Sequence, residues 1–269
     1  MRPEILFPLY REIAGLKGVG PRIEPALKRI AGPLVRDLLY TAPHNLVVRE
    51  PATIATAREG AVQTFNVLID QHQRSSRPGA PYKIRALDET GFLHIIFFKV
   101  FGDHLERAHP VGARRLVSGK VERWLAEVQI SHPDYLVDAG EADRIPRLEA
   151  VYPATEGLTS RQARRFFEAA LELAPDLPEW LDPAFKAQRG WPSWREAIQA
   201  LHHPRTLADL EPSSPARQRL GYDEFLAHML AMARRKSARR AQLGPRLRPG
   251  AASAAIEAAL PFQIGRAHV

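Results

Sequence analysis

The sequence predicts an α+β fold, with an N-terminal helical segment, a small five-stranded barrel and an all-helical region in that order. Three observations predict it. Apolar residues recur at helical spacing before residue 50, they alternate with polar residues between residues 61 and 131, and helical patterns return after residue 160. With 269 residues, 45% of them hydrophobic, the chain is long enough for about two domains, each with its own core.

The charge balance and the missing residue types limit the possible functions. Lys and Arg number 38 against 30 Asp and Glu, and the net charge of +8 suits a polyanionic partner. The absence of Cys excludes disulfides, thiolate metal sites and a cysteine nucleophile. No apolar run reaches the roughly 20 residues of a membrane span, and Glu4 and Arg11 interrupt the apolar start that a signal peptide needs. We therefore expect a soluble, cytosolic protein with no membrane partner.

Residues 1–55 are predicted to form three helices. The second begins near Pro21 and the third covers residues 34–39, while the first carries the apolar stripe Ile5, Leu6, Leu9, Ile13 and Leu16. Between the first two helices, Gly18-Val19-Gly20-Pro21 has the composition of a helix-hairpin-helix turn, whose glycines let backbone amides approach a phosphate. A tight turn that touches no ligand is the alternative. Gly18 and Gly20 are therefore candidate DNA contacts.

Residues 56–140 are predicted to form the barrel. Its five strands have their apolar residues at 65–69, 82–86, 93–97, 116–117 and 128–130, with turn residues between them and a helical turn at 103–108. This number of short strands favours a small closed barrel. The OB-fold is one such architecture, and one of its common uses is to bind nucleic acid.

Two aromatic residues end the third predicted strand, followed by Lys99. Phe97 shares a face with the apolar Leu93 and Ile95, whereas Phe98 lies on the opposite face of the pleat with His94. We therefore expect Phe97 in the core and Phe98 directed outward. An outward aromatic beside a lysine suits base stacking with an adjacent phosphate contact; packing against a helical segment is the alternative.

A second candidate contact lies at the turn between the fourth and fifth strands. Arg123 and Trp124 occur there, with Lys120 just before them. An exposed tryptophan can stack on a base while the arginine holds a phosphate. Covering the end of the barrel is the alternative role for this tryptophan.

Residues 141–263 are predicted to be helical, with helices at 160–174, 194–201 and 215–242. A basic cluster without an acidic residue lies at the end of the long helix and just beyond it; it could track a nucleic-acid backbone, although a solvated helix end is the favoured interpretation. Its members are Arg234, Arg235, Lys236, Arg239, Arg240, Arg246 and Arg248. His202 and His203 are adjacent and do not converge on a helix, so we expect no metal site. No catalytic motif is found, and a phosphate-binding loop is absent from the sequence.

Eight short stretches, in the same order, resemble the N-terminal part of the RecG family of bacterial ATP-dependent DNA helicases. They cover residues 1 to about 263. The stretches are Leu16–Pro21, Asp88–Gly91 leading into Phe97-Phe98, Val117–Val121, His132–Tyr135, Val151–Thr159, Leu177–Trp180, Ala200–Pro204 and Arg219–Leu226.

The resemblance implies that residues 56–140 are an OB-fold wedge held at a DNA branch, and residues 141–263 a linker to the helicase motor. Phe97 and Phe98 match the wedge aromatics that stack on the first unpaired bases. The partners implied are forked DNA and four-way junctions, in recombination and repair, for a monomer in the bacterial cytoplasm. ATP and Mg²⁺ belong to motor domains that follow in similar proteins, so this chain itself is expected to bind no cofactor and to be inactive as an enzyme.

Residues 44–48 match the family poorly, and two further parts of the chain depart from it. At the wedge hairpin similar proteins often carry a glycine and a basic residue, whereas this chain has Arg123-Trp124-Leu125-Ala126, so Arg123 is the preferred contact. Residues 264–269 do not resemble the family and match a translated frame of a sequencing adapter, which makes them a non-native tail by expectation. A stand-alone OB-fold protein that binds single strands, or an interaction scaffold, are the alternative functions.

Overall fold

A computed structural model describes residues 3–74, 80–98, 103–125, 127–241, 244 and 250–261. Its fold is α+β, as predicted. The chain forms two compact units, residues 1–220 and residues 221–269. The expected tail at 264–269 lies outside the described residues. Within the described part of the chain, no helix is both long and apolar enough to cross a lipid bilayer.

The N-terminal segment is helical, but its first helix is not the α-helix that the apolar spacing predicts. Two 3-10 helices, Glu4–Tyr10 and Ile13–Gly15, stand there instead. Pro8 lies inside the first one, and a proline at that position has no N–H to donate and clashes with the preceding turn of an α-helix. Helices α1, Glu24–Ile30, and α2, Val35–Leu39, follow as predicted.

The strands of the middle region include all five predicted ones and several more. In chain order they are β1 Asn45–Val48, β2 Glu50–Ala52, β3 Val62–Gln73, β4 Tyr82–Asp88, β5 Gly91–Phe97, β6 Arg114–Lys120, β7 Glu122–Trp124, β8 Glu127–Ser131, β9 Tyr135–Asp138 and β10 Leu148–Val151. Helix α3, His104–Ala108, lies at the predicted helical turn. Strands β1 and β10 pair with each other as a separate antiparallel sheet.

The predicted closed barrel is wrong in one respect, because the hydrogen-bonded sheet does not close. Its strand order is β7-β8-β5-β4-β3-β6-β9, and no ladder joins β6 to β8 among the described residues. Val121 interrupts β6 and β7, since its N–H donates to Ala61 and its carbonyl accepts from Gly60. Before Val121, strand β6 pairs with β3; after it, strand β7 pairs with β8. The covalent chain through Val121 therefore connects β3 and β8, where a closed barrel would have a ladder of hydrogen bonds.

This sheet, which we call the wedge sheet after the family resemblance, encloses a core of its own, the wedge core, made by residues that alternate along the strands. Phe65, Ile84, Leu93, Ile95 and Ile130 are fully buried in it. Residues next to them in sequence therefore point to the outer face of the sheet.

The helices after β10 are α4 Ser160–Glu172, α5 Pro183–Arg189, α6 Trp194–His202, α7 Pro215–Ala241 and α8 Ala251–Ala259. Helix α4, helix α6 and the start of α7 share a second core, the helical core, with the N-terminal segment. Capping boxes at Thr159 and Ser193 begin α4 and α6, each with a Gln or Glu three residues later. Leu27 and Leu38 pack with Phe166, Phe167 and other residues of these helices. The predicted helices are thus confirmed over their described residues, whereas α5 and α8 were not predicted.

A buried ion cluster connects the wedge sheet to the helical core. Arg49, between β1 and β2, is only 3% exposed; it forms an ion pair with Glu149 of β10 and contacts Asp134 at 2.8 Å. Arg164 of α4 lies 3.5 Å from Glu149, and the guanidinium of Arg161 lies 3.9 Å above the ring of Tyr135 on β9. We call these residues the Arg49 cluster. It joins residues that are far apart in the sequence.

A buried histidine gives the helical core a pH-dependent stability. His202 Nε2 contacts the Leu39 carbonyl at 2.9 Å, and its Nδ1 contacts the Tyr152 hydroxyl at 2.7 Å. Burial lowers the pKa of His202 from 6.5 to about 4. Between pH 6.5 and about 4, His202 takes up a proton in the unfolded chain but not in the folded one. The contribution of neutral His202 to the free energy of unfolding should therefore be complete above pH 6.5 and decrease as the pH falls towards 4.

Denaturant unfolding at a series of pH values tests this prediction. His202→Gln should lose part of the decrease between pH 6.5 and 4.5, whereas replacing the exposed His44 should leave the decrease unchanged. Parallel curves for wild type and His202→Gln would contradict it.

Candidate nucleic-acid interface

The outer face of strands β4, β5 and β8 carries an exposed aromatic candidate, Phe98, at one end. Because paired residues lie on the same face, the register places His94 beside Arg85 and Gln129, and Ile96 beside Lys83 and Ser131. Phe98 follows β5 directly and continues this outer row. In OB-folds this face of the sheet is the one that binds oligonucleotides.

The two phenylalanines lie where the pleat argument puts them. Phe97 is half-buried and packs against the wedge core, whereas the Phe98 side chain is 54% exposed. The face assignment is confirmed. Lys99, the predicted phosphate contact next to them, lies outside the described residues. Phe98 therefore presents a ring that a base can reach, while Phe97 supports it from the core.

The β7–β8 hairpin places Trp124 at the other end of the same face. Trp124 is 64% exposed and pairs with Glu127, at the start of β8. Phe98 instead follows the far end of β5, which runs parallel to β8. Five or six residues of extended strand separate the two ends, which corresponds to about 20 Å. One stacked base cannot contact both side chains.

The other candidate residues of the wedge, Arg123 and Lys120, are both exposed. Arg123 is directed away from the outer face, since its register partner is the core residue Val128, and its guanidinium donates to the Ala57 carbonyl at 3.0 Å. Lys120 is exposed at the end of β6, paired with Val62. The role of each in DNA binding stays a prediction.

The glycine turn lies in the helical part of the chain, not in the wedge. Gly18 has a φ of +85°, which a glycine adopts without strain. A Cβ at Gly18 would lie 3.8 Å from the Phe166 ring of α4, whereas one at Gly20 would meet nothing within 4 Å. The turn thus packs against α4, and its DNA contact stays a prediction.

The charges on the outer face are mixed. Arg85 is paired with Asp70, and Glu122 accepts from Ser131 at 2.7 Å. His94 lies 3.2 Å from Glu127, and burial, with the nearby cations, lowers its pKa. The face is therefore not a basic track, and its most distinctive feature is the exposed aromatic ring at each end.

The basic cluster on α7 belongs to the second unit. Arg234, Arg235, Lys236, Arg239 and Arg240 are exposed, and no ion pair joins them to a carboxylate among the described residues. Arg246 and Arg248 lie outside the described residues. A phosphate contact by this cluster stays a prediction.

Sequence reasoning assigned no role to His132, which the structure places against both phenylalanines. Its ring centroid lies 5.8 Å from that of Phe97 and 5.4 Å from that of Phe98. The stretch His132–Tyr135 contributed to the family resemblance, but its contact with Phe98 depends on the parallel pairing of β5 and β8. A histidine at the end of a strand, before a proline, is the only signal in the sequence.

Comparison with known proteins gives a consistent result. No family model matches the chain. It is 31% identical over 245 residues to the ATP-dependent DNA helicase RecG of Acidithiobacillus ferridurans and 30% identical over 269 residues to that of Escherichia coli K12. These alignments cover 89% and 93% of this chain but 35% and 37% of the relatives. The chain therefore spans about a third of the length of the curated relatives it matches.

A solved structure has the same fold over nearly the whole chain. It is described as RecG bound to a three-way DNA junction, and it matches 96% of this chain with a TM-score of 0.66 at 24% sequence identity. The match covers 35% of that protein. Sequence and fold agree: over nearly its whole length this chain is similar to the ATP-dependent DNA helicases RecG and fits the N-terminal part of those proteins.

Proposed function

We propose that this chain is the wedge region of a RecG-like helicase, which recognises branched DNA at forks and four-way junctions and splits it during recombination and repair. The observation that carries this is the exposed Phe98 ring at one end of the outer face of an OB-like sheet. A relative of the same fold is described as bound to a three-way DNA junction. Base stacking on an aromatic side chain tolerates any sequence, as a protein that recognises branch geometry requires.

The motor activity belongs, in this proposal, to the longer protein. This sequence holds no phosphate-binding loop, so ATP and Mg²⁺ would be bound by the part of its relatives that the chain does not match. We further propose that the chain acts as a monomer in the bacterial cytoplasm. Its own contribution is then to bind the branch point, while ATP hydrolysis moves the DNA.

Fluorescence anisotropy with matched forked, duplex and single-stranded DNA at two salt concentrations tests this function. We expect the fork to bind most tightly, with binding that weakens as salt rises, because phosphate contacts release counterions. Equal affinity for single strands and forks would favour a plain single-strand-binding OB-fold. Absence of binding would contradict the proposal that this region recognises the branch.

A further inference from the structure

His132 makes two hydrogen bonds to the end of β5, one through its backbone and one through its ring. Its N–H donates to the Ile96 carbonyl at 2.8 Å, and its Nε2 accepts from the Phe98 N–H at 3.2 Å. The ring is therefore unprotonated at Nε2 in this arrangement. Both bonds, together with the two ring contacts, hold the segment that presents Phe98.

The hydrogen bond from the Phe98 N–H to the His132 ring takes the place of a backbone hydrogen bond that a regular parallel sheet would make. In a parallel ladder, a residue donates to one position of its neighbouring strand and accepts, through its carbonyl, from the N–H two positions further along. Since His132 donates to Ile96, its carbonyl is the expected acceptor for Phe98. The imidazole accepts that N–H instead.

The backbone of His132 shows why the ring is needed. Its φ of +47° lies in the left-handed region, which is uncommon for residues other than glycine, and the chain leaves the sheet at Pro133. Such strained residues persist where the surrounding structure determines them, and they concentrate at functional sites. Phe98 thus has a defined backbone position although β8 ends beside it.

We propose that His132 is a positioning residue, which holds Phe98 in the orientation that stacks on an unpaired base. This inference rests on the proposed function and adds a residue to it. The tilt of 38° between the two rings leaves Phe98 supported on one side and 54% exposed. A fixed aromatic ring loses less conformational freedom on binding than a mobile one.

Amide hydrogen exchange without DNA tests the positioning by itself. His132→Leu removes the acceptor and keeps a side chain of comparable bulk, whereas His132→Gln keeps an acceptor oxygen with similar reach. The Phe98 amide should exchange faster in His132→Leu and close to the wild-type rate in His132→Gln. Equal exchange at Phe98 in all three proteins would overturn the proposal, whatever the DNA affinity.

Fork binding by the same variants, alone and combined with Phe98→Ala, tests the consequence. His132→Leu should weaken binding about 2- to 12-fold, the value of one hydrogen bond, and His132→Gln should restore most of it. In the Phe98→Ala background His132→Leu should have no further effect. An equal loss in that background would overturn the proposal, because His132 would then act independently of Phe98.

The two hypotheses fail in different ways. If Phe98→Ala binds forks like wild type, the proposed function of Phe98 fails, while the exchange experiment still decides whether His132 positions it. Replacing the exposed His44 with leucine is the control for the loss of an imidazole elsewhere, and it should change neither readout.

Discussion

Replacing Phe98 with alanine should weaken the binding of forked DNA about 5- to 150-fold while the chain remains folded. Base stacking on an aromatic side chain contributes roughly 1–3 kcal/mol per base, which corresponds to that range in the dissociation constant. Since the Phe98 side chain is more than half exposed and lies outside the wedge core, its loss removes little packing. Fluorescence anisotropy gives the affinity, and thermal unfolding gives the stability.

Phe7→Ala is the matched control for this prediction. Phe7 is 51% exposed, against 54% for Phe98, but it belongs to the N-terminal 3-10 helix and not to the sheet. Its replacement should leave the fork affinity unchanged. Unchanged affinity in Phe98→Ala, or a loss as large in Phe7→Ala, would contradict the role given to Phe98.

Replacing Arg49 with alanine should destabilise the first unit by about 3–5 kcal/mol. Removal of one partner from a buried ion pair leaves the other charge poorly compensated in a site with little water. Glu149 is 9% exposed and would retain Arg161 and Arg164, at 3.9 and 3.5 Å, as its nearest cations. Tyr135, whose hydroxyl contacts Glu149 at 3.3 Å, would also lose the Arg49 guanidinium that lies 4.9 Å from the centre of its ring.

Urea unfolding monitored by circular dichroism measures this loss, with Arg58→Ala as the control. Arg58 also pairs with a glutamate, Glu50, but its side chain is 62% exposed, and an exposed pair contributes less than about 1 kcal/mol. The Arg49 variant should therefore unfold at a much lower urea concentration than the Arg58 variant. Similar midpoints for the two would show that the Arg49 cluster does not hold the wedge sheet and the helical core together.

Much of the fold could be predicted because its signals are local. Runs of apolar residues, alternating in most of them, indicated strands β3, β4, β5, β6 and β8, and each of these strands has residues buried in the wedge core. Strands β1 and β10 have only four residues each and pair over about a hundred positions, from Asn45 to Val151. No local pattern indicates such a long-range partner. The 3-10 geometry of the first helix depends on Pro8, whose effect the apolar spacing does not show.

In the candidate site too, some features follow from local sequence and others from long-range strand pairing. The orientation of Phe98 follows from the pleat of one strand, so the sequence was sufficient to predict it. The contact of His132 with Phe98, the distance of Trp124 from Phe98 and the bond from Arg123 to Ala57 all depend on how strands are paired in the sheet. Pairing brings together residues that are distant in the sequence, and it could only be found in the structure.

Fluorescence of a base analogue at the branch tests the central claim most directly. A fork carrying 2-aminopurine as the first unpaired base reports stacking of that base as a change in its emission. Binding of the wild-type chain should change the emission, and the Phe98→Ala variant, at concentrations that saturate the fork, should not reproduce the change. The same emission with both proteins would show that Phe98 does not stack on the base at the branch.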